Sequence, residues 1–480
     1  MLLKMNTFDC LIPVPRQVSI DENRFFALAD INGFFVENTF ANYAESIRQL
    51  FNTFSLAAEQ KSSPRTAQFI VEYAPLPPEA FKITVSPGAI VIQSADSSGC
   101  MYALNAFMQM LFAATIRGPK GARLTCGCVE DAPRFAFRSF HLDSARHFQQ
   151  VAVIKRMLKL MAQFRLNYFH WHLIDSQGWR LQLKTSAGLE NQYTSTPGFY
   201  TVEDIRDVVN TARELNISVI PEMDFPGHSY GTLRYFPQYA CVNAQAPGEF
   251  CLGNQAGKNF IKNVLLEVME LFPESKYIHI GGDEAETANW DKCPVCRQAM
   301  QENNCSNMRE LENIFMRDIA QFVLANDRTP ILWGTCSGQT YQPESIIQSW
   351  LDIREPLRVA PNGNKVIYSV HTSLYFDYPA NLSEPWETWM FELSERGVYM
   401  TDPHIIWADK VKDVIMGTEA CLWTETIPQW RVIPKLLPRL YAYSECAWSA
   451  PERKTYTDFC RRKELLEAAG FMDFLIYSGN

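Results

Sequence analysis

The chain has 480 residues, of which 47% are hydrophobic, 13% aromatic and 20% charged. This composition belongs to a folded globular protein and excludes collagen, coiled coil and low-complexity disorder. Its 44 Lys+Arg against 53 Asp+Glu give a net charge of −9, so neither nucleic acid nor an anionic membrane surface is an expected partner.

Thirteen cysteines, an odd number without regular spacing, do not form the pattern of a disulfide scaffold. The opening MLLKMNTFDCLIPVPRQ is interrupted by Lys4, Asn6, Asp9 and Pro13 and lacks the apolar core of a leader peptide. A cytoplasmic location is therefore expected, with a secreted form that has lost its leader as the alternative.

In chain order, residues 1–132 alternate short β-rich runs with helical stretches at Asn42–Leu56 and Cys100–Ile116, which predicts a small α+β domain. Gly121–Pro133, with its Gly and Pro punctuation, is the expected junction. Residues 133–480 then alternate strands and helices. The apolar runs are AFRSFHLD, NYFHWHL, ISVIPEMD, KYIHIGGD, TPILW, IIQSW, VIYSV and VIMGTEACLW. Helices are expected over Val151–Phe164, Thr201–Asn216, Asn259–Leu271 and Met308–Asn326. Eight strand-like runs over roughly 315 residues are what a (β/α)8 TIM barrel requires. Tyr375–Lys410, rich in Pro and Trp, predicts a long loop.

A barrel enzyme carries its site on the loops after its strands. Those positions hold Asp143, Arg146 and His147, then His170, His172 and Asp175, then Glu222, Asp224 and His228. Asp283 and Glu284 follow the fourth strand, Trp333 and Trp350 close the fifth and sixth, and Tyr375, Asp377, Trp423 and Glu425 complete the rim. Aromatic faces beside charged groups suit a sugar, whose C–H face packs on a ring while its hydroxyls take polar partners. Adjacent Asp283 and Glu284 would point to opposite faces within a strand. They serve one pocket only where the backbone turns, and Gly281-Gly282 gives that latitude. Two close carboxyls also drive their pKa values apart, leaving one able to act as an acid.

These motifs together resemble glycoside hydrolase family 20, the β-N-acetylhexosaminidases. HIGGDEA (279–285) is the most specific, joined in family order by DSARHF (143–148), FHWHLIDSQGWR (169–180), PEMDFPGH (221–228) and GTEACLWTE (417–425). The resemblance implies a barrel preceded by an α+β domain, and exo cleavage of terminal β-linked GlcNAc or GalNAc from an oligosaccharide or glycoconjugate. It implies retention through an oxazolinium formed by the substrate's own acetamide, a departure from the two-carboxylate scheme. Glu284 resembles the general acid/base, Asp283 the carboxylate on the acetamide N–H, and Tyr375 the donor to the acetamide carbonyl. Trp333, Trp350 and Trp423 would wall the acetamide methyl. Arg146, Asp377 and Glu425 would hold sugar hydroxyls, and Asp175 with His228 would tune the acid. Asp377 stands where some members carry Asn. The resemblance implies no cofactor, no metal and no particular oligomeric state.

Simpler readings stand beside these. Glu222 and Asp224 are equally well ion pairs at the rim of the core, and His141 is better explained by packing. Cys293-Pro-Val-Cys296 with Cys305 is a poor four-ligand set for zinc and is expected to be a surface turn leading into the Met308 helix. Two other classes compete. One is a metal-dependent amidohydrolase barrel, using His170-x-His172 as ligands. The other is a carbohydrate-binding protein without catalysis, which the intact Asp283, Glu284 and Tyr375 speak against.

Overall fold

The computed structural model describes residues 6–116, 121–193, 195–242, 244, 246–335, 341–385, 387–404 and 413–477. The chain divides into two compact units. One takes in Met1–Phe135, Lys159–Arg165 and Leu440–Asn480, the other Ala136–Leu158 and Leu166–Arg439.

The first unit is built on a mixed sheet of seven strands: β1 (Gln17–Ala27), β2 (Gly33–Val36), β3 (Glu59–Gln60), β4 (Phe69–Tyr73), β5 (Phe81–Val85), β6 (Ile90–Ser94) and β7 (Arg123–Asp131), in the order β1-β7-β5-β6-β4-β2-β3. Alternate residues of β4, β5 and β6 are buried, as one covered sheet face requires. The helix Ser97–Thr115 starts where the Asp96 carboxylate accepts from the Gly99 N–H at 2.8 Å, and it is buried on every side from Gly99 to Phe112.

The expected junction at Gly121–Pro133 is instead largely strand β7, paired with both β1 and β5. Gly127 is no linker residue. A Cβ there would lie 2.3 Å from the Ser19 carbonyl, so glycine permits the close approach of β1.

The second unit is a closed barrel of eight parallel strands: β8 (Phe137–Asp143), β9 (Tyr168–His172), β12 (Ser218–Glu222), β13 (Tyr277–His279), β14 (Thr329–Trp333), β15 (Ile346–Ser349), β16 (Lys365–Tyr368) and β17 (Ile415–Leu422), which pairs back to β8 from Gly417↔Phe137 to Leu422↔Leu142. The eight expected runs are these eight strands. They read as unbroken apolar stretches because barrel strands are covered on both faces. A short hairpin, β10 (Ile174–Asp175) with β11 (Gly178–Trp179), follows β9.

Phe137, Ile220, Tyr277, Ile331, Ile346 and Ile367 cluster as an apolar core within the barrel. Within the expected loop Tyr375–Lys410 the described chain is irregular apart from a short helix at Glu395–Tyr399; residue 386 and residues 405–410 of that segment lie outside the described residues. No described helix is long and apolar enough to cross a membrane.

Candidate active site

Toward the strand ends the barrel interior changes from apolar to ionic. Glu222, fully buried at the end of β12, is 2.6 Å from His172 Nδ1, 3.1 Å from His170 Nε2 and 3.1 Å from His279 Nδ1, and it accepts from Trp333 Nε1 at 2.6 Å. Burial works against its charge, but these imidazoles hold its carboxyl well below the usual range. Burial likewise opposes charge on His170, yet Glu419 and Glu222 raise it to about 9, while burial leaves His141 at about 4. Glu222 is thus the anionic centre of a histidine cluster, the simpler of the two readings. His170 and His172 have both ring nitrogens against carboxylates, since His170 Nδ1 is 2.8 Å from Glu419 and His172 Nε2 is 3.0 Å from Asp175.

Above this layer the chain leaves β13 through a turn that only its own residues allow. Gly281 and Gly282 have φ of +67° and +97°, and Glu284 is itself left-handed at +47°. A Cβ on Gly281 would fall 1.7 Å from Asp224 Oδ1, the same oxygen that accepts from the Gly282 N–H at 3.2 Å. Asp224 therefore shapes the turn from beneath. The turn brings two sequence-adjacent carboxyls into one cavity: Asp283 is buried, while the Glu284 side chain is 58% exposed. Burial, with Glu284 and Glu222 adding to it against the opposing pull of His228, lifts the Asp283 carboxyl to about 6.

The cavity has a volume of about 310 Å³. Trp350 and Tyr375 present parallel rings, 7° apart in plane with centroids 6.4 Å apart, and Trp423 stands 6.2 Å from Tyr375 at 55°. Arg146 enters over the Trp423 ring, its guanidinium carbon 5.0 Å from the centroid. It is 2.8 Å from Asp175, 3.3 Å from Asp143 and 3.5 Å from Glu425. Burial pushes the Asp377 carboxyl up to about 8, with Glu425 adding to the effect. Three buried polar atoms of cavity-lining residues have no partner among the described residues: Asp283 Oδ1, Asp377 Oδ1 and Trp350 Nε1. Buried polar atoms are normally paired, so these three ask for a ligand with polar groups.

Of the residues singled out by sequence, Asp283, Glu284, Tyr375, Arg146, His228, Trp350, Asp377, Trp423 and Glu425 all line the cavity. Asp175 and Trp333 do not. Asp175 lies behind, bound to Arg146, His172 and His228. Trp333 is 1% exposed with its indole N–H turned to Glu222, so it backs Trp423 at 5.7 Å instead of facing a ligand. The cavity also has three residues the sequence did not reveal: His371, Tyr378 and Trp389. His371 opens a single helical turn, His371–Leu374, and Tyr378 and Trp389 belong to the irregular stretch after it, where no periodicity marks a side chain's direction. Cys293-Pro-Val-Cys296 is not a surface turn. Both thiols are wholly buried, Cys296 at 3.6 Å from Cys241 and 3.5 Å from Cys251, because the fold supplies two cysteines from an earlier loop.

Residues 135–451 match the sequence profile "Glycosyl hydrolase family 20, catalytic domain", and residues 10–132 match "Glycosyl hydrolase family 20, domain 2". The chain is 30% identical over 418 residues to a beta-hexosaminidase of Porphyromonas gingivalis, across 81% of this chain and 53% of that protein. It therefore spans about half the length of that relative. It is 28% identical over 415 residues to a beta-hexosaminidase of Akkermansia muciniphila, across 82% of this chain and 83% of that one. The exo-β-N-acetylglucosaminidase of Vibrio harveyi, solved in complex with N-acetylglucosamine, superposes with a TM-score of 0.85 at 26% identity, covering 97% of this chain and 78% of that one.

Proposed function

The chain belongs to glycosyl hydrolase family 20, and from that premise we propose that it is an exo-acting, retaining β-N-acetylhexosaminidase, cleaving terminal β-linked GlcNAc or GalNAc from oligosaccharides or glycoconjugates. The reading rests above all on one observation: Asp283 and Glu284 open into the same aromatic-walled cavity, whose buried Asp283 Oδ1, Asp377 Oδ1 and Trp350 Nε1 lack partners among the described residues.

In this proposal Glu284, the more exposed acid, gives its proton to the leaving glycosidic oxygen as the C1–O bond breaks. The acetamide oxygen of the same sugar bonds to C1 and forms the oxazolinium ring. Asp283 accepts from the acetamide N–H and balances the charge growing there, a fixed charge in a dry site. The Tyr375 hydroxyl donates to the acetamide oxygen and aims it. Water then attacks C1 from the opposite face, Glu284 takes its proton, and the ring opens with configuration retained. An internal nucleophile needs positioning more than activation. The rings of Trp350, Tyr375 and Trp423 supply that positioning around the acetamide methyl, with Trp333 packed behind Trp423.

Arg146, Asp377 and Glu425 would bind hydroxyls of the terminal sugar. Asp175 would act through His228 and Arg146. The alternative metal-dependent hydrolase would draw on His170 and His172, which form possible metal-holding groups with Glu222 and neighbouring residues, but neither histidine lines the cavity.

The test compares purified protein on aryl N-acetyl-β-glucosaminide, aryl N-acetyl-β-galactosaminide and aryl β-glucoside, with the first-formed anomer read by proton NMR. Turnover confined to the 2-acetamido substrates, with the β-anomer formed first, is the expected result. Equal turnover of the plain glucoside, or an α-anomer, would overturn the mechanism.

A further inference from the structure

The cluster formed by Cys241, Cys251, Cys293 and Cys296 has no part in the proposed reaction. All four are buried, and their sulfurs lie within 4.8 Å of one another. Cys241 Sγ is 3.6 Å from Cys296, and Cys251 Sγ is 3.8 Å from Cys293 and 3.5 Å from Cys296. These separations are too long for a disulfide, whose S–S bond is about 2.05 Å. They match the edges of a metal tetrathiolate, because four sulfurs at about 2.3 Å around a tetrahedral zinc are separated by about 3.8 Å. A buried cysteine commonly behaves as a small apolar residue, and packing alone does not require four thiols to converge. Among the described residues this is the one possible metal-holding group composed wholly of cysteines.

The surrounding chain is arranged for the same purpose. Cys293-Pro-Val-Cys296 gives two ligands with the C-x-x-C spacing of structural zinc sites, at the start of the helix Pro294–Glu302. Cys241 and Cys251 flank the other side on the loop between β12 and the helix Gln255–Leu271. That loop comes so close to the C-x-x-C segment that a Cβ on Gly253 would lie 2.5 Å from the Val295 carbonyl. Trp290 Nε1 donates to the Phe250 carbonyl at 2.9 Å and joins the same two loops again.

We propose that Cys241, Cys251, Cys293 and Cys296 form a structural tetrathiolate zinc site. Four soft, anionic, tetrahedrally placed ligands select zinc over hard cations, and a set of four protein ligands leaves no open position for substrate. Binding releases the thiol protons to solvent. The metal has no place in the bond-breaking steps. It ties the loop after β12, which carries His228, to the loop after β13, which carries Asp283 and Glu284, and so holds the acid pair against its imidazole.

The experiment is metal analysis of the whole protein, purified without chelator and under reducing conditions after growth with added zinc. About one zinc per chain is expected, released in step with mercurial titration of four thiols. Cobalt exchanged into the site should give the visible bands and sulfur-to-metal charge transfer of a tetrahedral thiolate complex. Cys293→Ser with Cys296→Ser should lose the metal, and Cys305→Ser should keep it. If the double variant does not fold, stoichiometry and the cobalt spectrum of the unaltered protein still decide. Less than about one-tenth zinc per chain with four free thiols, disulfides mapped among the four cysteines, or a chain loaded with iron would each overturn the proposal. None of these readings uses a substrate, so they stand apart from the fate of the hexosaminidase assignment.

Discussion

Asp175 accepts from His228 Nδ1 at 3.3 Å, and this contact decides which way the imidazole faces. With Nδ1 held, Nε2 points to the acid pair, 3.7 Å from Glu284 and 3.9 Å from Asp283. Burial disfavours the imidazolium, but Asp175 and Asp224, with Asp283 contributing, hold its pKa well above normal. His228 is therefore a resident cation beside the carboxyl that must stay ionised. Without that cation the Asp283 carboxylate costs more, so its pKa must rise. His228→Gln is expected to move the acid limb of the kcat/KM profile to higher pH, and Asp175→Asn to move it the same way by weakening the imidazolium. An acid limb unmoved in both variants would remove His228 from the role of positioning residue.

The Asp283 carboxyl at about 6 fixes the sign of two further effects. Activity should fall as pH drops through about 6, because the protonated acid no longer balances the developing charge. Stability runs the other way. A carboxyl whose folded pKa lies above its unfolded value of about 3.9 favours folding below that value, and the benefit is lost as pH rises through 6. Asp283→Asn should therefore lose roughly 10²–10³ in kcat while raising Tm at pH 7.5. The Tm difference should shrink as pH approaches 4, which thermal melts across that window would check.

Glu284→Gln should separate the two halves of the reaction. Without a proton donor, substrates with poor leaving groups should lose about 10²–10⁴-fold. A dinitrophenyl N-acetylglucosaminide, whose leaving oxygen needs no proton, should keep its first step and show a burst of phenolate before slow turnover. Equal losses on both substrates in rapid-mixing assays would contradict an acid role.

Arg146 is surrounded by Asp143, Asp175 and Glu425 at 3.5 Å or less. Arg146→Met would leave Asp143 and Asp175 buried without their cation, a change that costs about 3–5 kcal/mol. Lower stability and a raised KM are expected together. Arg146→Lys should recover most of the stability but less of the binding, because a point charge does not reproduce a planar fork. Parallel denaturant melts and KM values would reveal whether the two losses separate in this way.

The barrel was legible in the sequence because strands covered on both faces leave unbroken apolar runs, VIMGTEACLW among them, and helices between them keep their own period. Much of the cavity lining was legible for a related reason. Side chains just past those runs belong to one rim, which groups Arg146, Asp283 and Trp423. Direction was harder to read. Trp333 closes a strand as Trp350 does, yet its indole N–H turns to a buried glutamate that only the folded barrel puts within reach. Strand β7 was hidden by Gly127 within it and by the flanking Gly121 and Pro133, since Gly127 serves a close contact with β1 that sequence does not display. The cysteine cluster escaped because Cys251 and Cys293 are 42 residues apart. Their meeting depends on how two loops leave neighbouring strands, and no local spacing encodes that.

With its carboxyl raised to about 8, Asp377 is in effect an amide mimic at neutral pH: one oxygen accepts, the other bears a hydrogen to give. A sugar hydroxyl meeting it finds both polarities on one planar group, as it would on asparagine. The two residue types are then interchangeable below that pH and diverge above it, when the aspartate turns anionic and can only accept. Its identity is written in the surroundings as much as in the codon.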